Sequence, residues 1–350
     1  MKRIIAILTA LVMVLLLFAG CAAEEPIEDT PPPETPPEEV QELAREPLQV
    51  ITTVFPQYDF IRQIAGDRVE LSMLISPGAE THAFEPTPRD MVALNTADLL
   101  VYVGGHDDLW IGPILDSLDV EIYTVALLDL VEAIPAEHHH HDHDHGHGHH
   151  HHDDCDDDDC DDDDHHHHHD HHHHHDVDEH VWTSPRNAIL IVEGLTETLA
   201  KLDPENADFF RENAADYIEE LRALDQAFAE MVAQGVRDTV IFGDRFPFLY
   251  LTEAYGLTAH AAFPGCSAET QASPTTIAFL IEKVNAENIP VVFYIEFSNQ
   301  LIANVIADAT GARLLELHSA HNVSQADFTA GVTYVEIMMR NLENLKEALH

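Results

Sequence analysis

From residue 48 onward, the sequence alternates between short apolar runs and longer stretches with helical periodicity. The first half carries LQVITTVF, VELSMLIS, DLLVYVGG and VEIYTVALL, and the second half carries TVIFGD, LTAHAAF, PVVFYIE and RLLELH. Strands that alternate with helices form mainly parallel sheets, and the helices cover both faces of each sheet. The pattern therefore predicts an α/β fold with two (β/α) lobes, an N-terminal lobe over residues 48–202 and a C-terminal lobe over residues 236–350.

A long helix is predicted between the lobes, over residues 203–235. Asp203 is a suitable N-cap, Pro204 fits the first helical position, and Gly235 ends the helical pattern. A helix of roughly 30 residues spans about 45 Å at about 1.5 Å per residue. It is either an ordinary core helix or a rigid link that limits hinge opening between the lobes, and we favour the rigid link. Apolar residues recur along it at helical spacing, as one stripe: Phe210, Ala214, Tyr217, Leu221, Leu224, Phe228 and Met231.

Residues 1–20 have the features of a secretion signal peptide: two basic residues, an apolar stretch and then small residues. The segment LFAGC resembles a bacterial lipobox, which makes Cys21 the predicted site of lipidation. The alternative is an uncleaved membrane anchor, for which the apolar stretch is short. Either interpretation predicts a protein outside the cytoplasm, and the lipobox predicts a lipid anchor on the outer face of the cell membrane. Residues 21–47, rich in Pro and Glu, are predicted to be a tether.

The charge and the histidine content favour cations as ligands. The formal net charge is −48, and no basic patch offsets it, so nucleic acid is excluded as a partner. Acidic surface that is rich in His instead attracts metal ions.

A His/Asp-rich run occupies residues 137–178 and holds 21 of the 28 His of the chain. The run has no hydrophobic face, so it is predicted to be a disordered loop. Its internal position and irregular composition argue against an expression tag. Such a loop offers many weak, interchangeable sites and would raise the local ion concentration near a tighter site. Cys155 and Cys160 could form a bridge or supply thiolates. The predicted accessory metal ligands are His138, His139, His140, His141, His143, His145, Cys155 and Cys160.

A few isolated residues lie at or near the ends of predicted strands. His82 follows VELSMLISPG, His318 ends RLLELH, Asp244 closes TVIFGD, and His180 lies just before a predicted helix. Ligands of open α/β sheets bind outside the carboxyl ends of the strands. A single His is weak support for a metal site, but the recurrence in both halves predicts one ion in the cleft between the lobes.

Two motifs carry a resemblance to a known family. GAETHAFEPTPRD and DEHVWTSPRNA, separated by the His/Asp-rich run, resemble the solute-binding proteins of bacterial ABC transporters for zinc and manganese. The helix LDPENADFFRENAADYIEELRALD and the closing AGVTYVEIMMRNLENL are similar to the same family, so the resemblance covers roughly residues 48–349. It implies two lobes, a rigid linking helix and one metal between the lobes. The run is similar to the His-rich loop of the zinc branch.

The resemblance also implies metal ligands. His82 and His180 match the first and second metal His of the family. The third ligand position falls on Gly243, which departs from the family pattern, so Asp244 is the nearest available ligand. The fourth position, usually an Asp, is held by His318. Weaker candidates complete the set: Cys266 as a ligand and Glu296 as an acid that orients a ligand.

The expected ligand set favours zinc as the bound ion. Three imidazoles and one carboxylate suit tetrahedral zinc, whereas manganese prefers more oxygen ligands. The predicted function is capture of Zn²⁺ and its delivery to an ABC permease and its ATPase, by a monomer without catalytic residues. A zinc hydrolase is disfavoured because no H-E-x-x-H pattern occurs and four protein ligands leave no position for water. The alternatives are uptake of manganese or another divalent metal, and a cell-surface zinc store or adhesin.

Overall fold

Two four-stranded parallel sheets organise the computed structural model, which describes residues 46–81, 84–106, 108–136, 177–265 and 272–350. The predicted signal peptide, tether, Cys21 and accessory loop ligands lie outside the described residues, as do His82 and Cys266. None of the helices in the described ranges combines the length and hydropathy needed to cross a bilayer.

The first sheet forms the N-terminal lobe, with strand order β2-β1-β3-β4. Its strands are β1 (Leu48–Thr52), β2 (Val69–Met73), β3 (Leu99–Tyr102) and β4 (Tyr123–Ala126). Its helices are α1 (Phe55–Ala65), α2 (Pro88–Leu94) and α3 (Ile111–Ser117), followed by a 3₁₀ turn at Leu127–Leu130. Thr87 caps α2 through a capping box with Asp90, because its hydroxyl accepts the Asp90 N–H while the Asp90 carboxylate accepts the Thr87 N–H.

The second sheet repeats this arrangement in the C-terminal lobe, with strand order β6-β5-β7-β8. Its strands are β5 (Thr239–Phe242), β6 (Thr258–Ala261), β7 (Val291–Tyr294) and β8 (Arg313–Glu316). The helices α4 (Pro185–Leu202) and α5 (Ala207–Gln234) precede this lobe. The helices of the lobe itself are α6 (Leu249–Tyr255), α7 (Pro274–Glu287), α8 (Leu301–Thr310), α9 (Gln325–Ala330) and α10 (Tyr334–Leu349). Neighbouring strands in both sheets pair in parallel, so the predicted α/β fold with two lobes is confirmed.

Two antiparallel helices connect the lobes: α4 (Pro185–Leu202), preceded by a 3₁₀ turn at Val181–Thr183, and α5 (Ala207–Gln234). The prediction that the long helix begins at Asp203 is wrong, because Asp203 ends α4 and its N–H donates to the Leu199 carbonyl. The long helix begins four residues later and ends, as predicted, at Gly235. At 28 residues, it spans about 42 Å.

The stripe predicted along the long helix is confirmed, since all seven of its residues are buried. α5 packs against α1 and α4 on one side and against α6 and α10 of the C-terminal lobe on the other. One continuous hydrophobic core therefore includes Val50 of β1, Phe228 of α5 and Phe242 of β5. This shared core makes α5 a rigid link. Separating the lobes along α5 would expose apolar surface, at a free-energy cost of about 25 cal/mol per Å².

The strand order places a binding crevice in each lobe. β1 and β3 are neighbours whose chains continue to opposite sides of the sheet order, and β5 and β7 repeat that arrangement. Such a switch point leaves a gap outside the carboxyl ends of the two strands, where α/β proteins bind ligands. The loops after these strands are therefore the place to look for a site.

Candidate metal centre

A cavity of about 170 Å³ lies between the lobes. The loop after β2, residues 78–81, forms its N-terminal side, and the loops after β5 and β7 form its C-terminal side. The loop after β8 contributes Ser319, His321 and Asn322. A smaller cavity adjoins it and shares Thr81 and His321, and this one reaches Val54 after β1 and Val103 after β3. The two cavities thus occupy the switch points of both sheets.

His180 lies beside these cavities on the segment that leads into α4, and it is only 4% exposed. Its ring Nδ1 is 3.2 Å from Oδ1 of Asp178, which also accepts the His180 backbone N–H at 2.9 Å. A carboxylate in this position accepts a proton held on Nδ1 and fixes the orientation of the ring. Such a pairing of an imidazole with an acid makes His180 a candidate metal ligand.

His321, on the loop after β8, faces His180. The two imidazole centroids are 5.2 Å apart, and the His321 ring also packs on the indole of Trp182 at 5.0 Å. Nδ1 of His321 is 3.4 Å from the hydroxyl of Thr81, which belongs to the opposite lobe. His321 therefore joins residues of both lobes at the boundary of the two cavities.

The His318 side chain does not take part in the contact between His180 and His321. Its Nδ1 accepts the Ala320 N–H at 3.0 Å, and its backbone N–H and carbonyl both bind the Asn341 side chain of α10. Among the described residues that line either cavity, His321 is present, whereas His318 and His180 are both absent, and of these two only His180 has its ring against that of His321. The structure thus pairs His180 with His321 rather than with the His318 expected from the sequence.

The two predicted acids do line the larger cavity. Asp244 follows β5 and is 8% exposed, and its carboxylate accepts the Arg245 N–H at 2.9 Å and lies 3.5 Å from the Ile295 nitrogen. Glu296 follows β7, and its carboxylate accepts the Ser319 N–H at 2.7 Å and the Ser319 hydroxyl. Oε2 of Glu296 is 3.7 Å from His318 Nδ1, so this acid orients the loop that carries His321.

Gly243, where the family pattern would place a ligand, cannot supply a side chain to the cavity. A Cβ built at Gly243 would lie 2.3 Å from Cα of Ala303, so it would collide with the first turn of α8. Glycine is needed here because helix and strand approach closely.

The described residues do not by themselves form a metal site. Within them, no three His, Cys, Asp or Glu side chains lie close enough together to hold one ion. His82 falls outside the described residues, but its neighbour Thr81 borders both cavities.

Sequence reasoning missed Asp178, His321 and Arg245. Asp178 belongs by composition to the acidic run, although its spacing two residues before His180 is a usable signal. His321 stands three residues after His318 on the same loop, and the sequence contains no feature that ranks one above the other. Arg245 has no sequence signal of its own, because a cation is unexpected in a cavity that binds metal ions.

Two parallel-sheet lobes with a cavity between them are an arrangement typical of solute-binding proteins. The family model "Zinc-uptake complex component A periplasmic" (ZnuA) matches residues 50–348. The chain therefore belongs to the ZnuA family, as the resemblance implied.

Curated relatives agree with this assignment. The zinc-binding lipoprotein AdcA of Streptococcus pneumoniae serotype 4 is 31% identical over 308 residues, which cover 88% of this chain and 57% of AdcA. The chain thus spans a little over half the length of that relative. The high-affinity zinc uptake system protein ZnuA of Bacillus subtilis is 29% identical, with coverage of 86% of this chain and 88% of the relative.

Solved structures share the fold. The Zn(II)-bound ZnuA-like domain of Streptococcus pneumoniae AdcA matches with a TM-score of 0.68 and 28% identity, over 87% of this chain and 99% of that one. The metal-dependent lipoprotein YcdH of Bacillus subtilis matches with a TM-score of 0.68 and 25% identity, over 87% and 100%. A manganese-bound periplasmic metal-binding protein from candidatus Liberibacter asiaticus, at 20% identity and a TM-score of 0.68, has the same fold and covers 86% of this chain and 99% of its own.

Proposed function

We propose that this protein captures Zn²⁺ between its lobes and delivers the ion to the permease of an ABC importer. The observation that carries the proposal is the contact between His180 and His321, two buried or half-buried imidazoles at the cavity boundary. Membership of the ZnuA family and the zinc-binding names of AdcA and ZnuA support the choice of ion.

The ligands we propose are the imidazoles of His82, His180 and His321 with the carboxylate of Asp244. Since His180, His321 and Asp244 do not yet lie close enough together to hold one ion, zinc binding must draw them together. Three nitrogen ligands and one oxygen ligand suit a tetrahedral zinc with bonds of about 2.0–2.2 Å. Glu296 would hold the His321 loop through Ser319, and Asp178 would hold His180. His321 replaces His318 in this set because it is the imidazole that reaches the cavity. Cys266 stays a weaker candidate ligand.

Selection of zinc over manganese would follow from the imidazoles. Manganese prefers oxygen ligands and a larger coordination shell. The same fold serves a manganese-bound protein, so the fold alone does not choose the metal, and the nitrogen ligands carry the preference.

Delivery implies a membrane partner and a location outside the cytoplasm. We propose that Cys21 carries a lipid anchor, that the protein acts as a monomer at the outer face of the membrane, and that an ABC permease with its ATPase receives the ion. The lipoprotein name of AdcA and the zinc uptake system that includes ZnuA support these assignments.

The direct test is calorimetric titration of the metal-free protein with Zn²⁺ and Mn²⁺, compared with the double variant His82→Ala/His180→Ala. We expect one tight zinc site in the parent and its loss in the double variant. Nanomolar zinc binding by the double variant would overturn the proposal.

A zinc store is a second candidate, since 21 His are concentrated in residues 138–175. Pro135 and Val177 form an antiparallel bridge beside this run, so residues 138–176 can be replaced by a short Gly/Ser turn with little strain. Importer function predicts that the tight site survives this deletion and only weak capacity disappears. Loss of the tight site would favour storage.

The zinc bound weakly by residues 138–176 should also decrease below about pH 6, because a His ligand must be neutral and its free pKa is about 6.5.

A further inference from the structure

Arg245 places a guanidinium in the cavity proposed to bind a cation. Its backbone follows Asp244, and its side chain lines the larger cavity together with Asp244, Glu296 and Glu80. Among the described residues that line either cavity, it is the only Lys or Arg.

The guanidinium pairs with an acid of the other lobe. Nη1 of Arg245 is 3.7 Å from Oε1 of Glu80, on the loop after β2. Both side chains are partly exposed at the mouth of the cavity, at 35% for Arg245 and 56% for Glu80. An exposed pair of this kind adds little to stability, so a contribution to folding does not account for its position.

The charges of the cavity indicate what the pair does. Three carboxylates line it, those of Glu80, Asp244 and Glu296, against one guanidinium, which leaves an excess of two negative charges. A divalent ion balances that excess. Without Arg245, the cavity would have an excess of three negative charges and would attract a divalent ion more strongly.

We propose that Arg245 is a built-in counter-cation that lowers the zinc affinity of the cavity and speeds release of the ion. The inference rests on the proposed function and deepens it. Without metal, Arg245 neutralises Glu80 across the cleft. With metal, its charge repels the bound ion, and because the cavity is partly enclosed, water screens that repulsion less than it would at an open surface. Affinity differences are expressed mostly in the dissociation rate, so a lower zinc affinity means faster release. Faster release favours transfer of the ion to a partner.

The key variant is Arg245→Gln, which removes the charge and keeps a polar side chain of similar reach. Zinc affinity is measured by competition with a chromophoric chelator, and the dissociation rate by stopped-flow transfer to excess chelator, both in the chain without residues 138–176. We expect affinity to rise by about tenfold, equivalent to about 1.4 kcal/mol, mostly through slower dissociation. The gain should shrink as ionic strength rises, because salt screens charges at the cavity mouth.

Three further variants separate charge from structure. Arg245→Lys keeps the charge, so its zinc affinity should rise by only a small part of the increase expected for Arg245→Gln. Arg222→Gln removes the same charge from an exposed pair with Glu219 on α5, remote from the cavity, and controls for the change in net charge. Glu80→Gln removes an attractive charge and should weaken binding, while Arg245→Gln should still strengthen binding when added to Glu80→Gln. Thermal denaturation of the metal-free forms verifies that each variant folds.

The outcomes are distinguishable. Tighter binding by Arg245→Gln with the salt dependence described supports the inference. Unchanged or weaker binding by the folded variant overturns it, as does an equal gain in Arg222→Gln. A third result would also overturn the inference: acetate strengthens zinc binding by the parent but has no effect on Arg245→Gln. Arg245 would then hold an anion. Absence of tight zinc binding in the parent would instead contradict the proposed function.

Discussion

The imidazole rings of His180 and His321 meet edge to face, with centroids 5.2 Å apart and ring planes at 88°. His180 belongs to the segment that leaves the N-terminal lobe, and His321 belongs to the loop after the last strand of the C-terminal lobe. The contact therefore spans the cleft. An ion bound by both rings would tie the two lobes together at the point where the cavities meet.

Replacement of His321 by Ala should abolish tight zinc binding, whereas replacement of His318 should not. A ligand contributes more than an outer partner, whose loss costs about 10- to 100-fold in metal affinity. We therefore expect more than about 100-fold loss for His321→Ala and less than about tenfold for His318→Ala, measured by chelator competition. The opposite order would return His318 to the ligand set and would show that the loop after β8 rearranges around the ion.

Replacement of Asp178 by Asn should weaken zinc binding through His180. Asp178 Oδ1 is 3.2 Å from His180 Nδ1, and its negative charge raises the basicity of the ring as a ligand. Asn preserves the shape but lacks the charge, so a loss of about 10- to 100-fold is expected. Asp119→Asn, an exposed change of the same kind, is the matched control. Equal affinities for the two variants would show that the carboxylate does not act on the ligand.

The fold was predictable because its signals are local. The stripe from Phe210 to Met231 follows from helical periodicity, and the apolar runs mark strands wherever their neighbours are polar. The start of the long helix was not predictable in the same way. Pro204 suits the first turn of a helix, but α4 extends to Leu202, so the chain needs Asp203 to Asn206 for the reversal.

The site was only partly predictable because loops lack periodicity. His318 and His321 share the loop after β8, where Ala320 has a positive φ of 59° and turns the chain between them. Which ring reaches the cavity depends on that turn, on the bond between His318 and Asn341, and on the bond between Ser319 and Glu296. Both bonds involve distant parts of the chain. Strand ends still pointed to loops that border the cavity, since Asp244 and Glu296 both line it.

Tryptophan fluorescence should report zinc binding. The chain has two Trp, and both Trp110 and Trp182 line the smaller cavity beside His321. The Trp182 ring lies 5.5 Å from His180 and 5.0 Å from His321, so a change in either imidazole alters the surroundings of the indole. We expect a saturable emission change on zinc titration of a Trp110→Phe chain without residues 138–176. Emission that stays constant while calorimetry detects binding would place the ion away from these rings.

Tyr250 should contribute to stability in a pH-dependent way. Its buried hydroxyl donates to the Asp178 carbonyl at 2.8 Å and accepts the Ile134 N–H at 3.0 Å. Burial raises the pKa of Tyr250 to about 12, above the value of about 10 in an unfolded chain. The folded state thus favours the protonated phenol, and its contribution is complete below about pH 10 and is lost as the pH rises towards about 12.

Tyr250→Phe should therefore be less stable by about 1–2 kcal/mol near neutral pH, since two hydrogen bonds are lost. Its stability should also fall less steeply than that of the parent between about pH 10 and 12. Urea denaturation of both proteins across that range measures the difference. Parallel stability curves would show that the phenol does not titrate with folding.

Gly243→Ala should destabilise the C-terminal lobe. The added methyl would lie 2.3 Å from Cα and 2.7 Å from Cβ of Ala303, both of which belong to the helix α8 rather than to a flexible side chain. The helix must move away from β5, and such overpacking costs about 1–3 kcal/mol. Gly112→Ala in α3 is the control, because a methyl there meets nothing within 4 Å and replaces a weak helix former by a strong one. Chemical denaturation should therefore rank Gly112→Ala at or above the parent and Gly243→Ala below it. Equal stability of Gly243→Ala and the parent would mean that β5 and α8 separate freely, and that this position has room for the side chain that the family pattern places there.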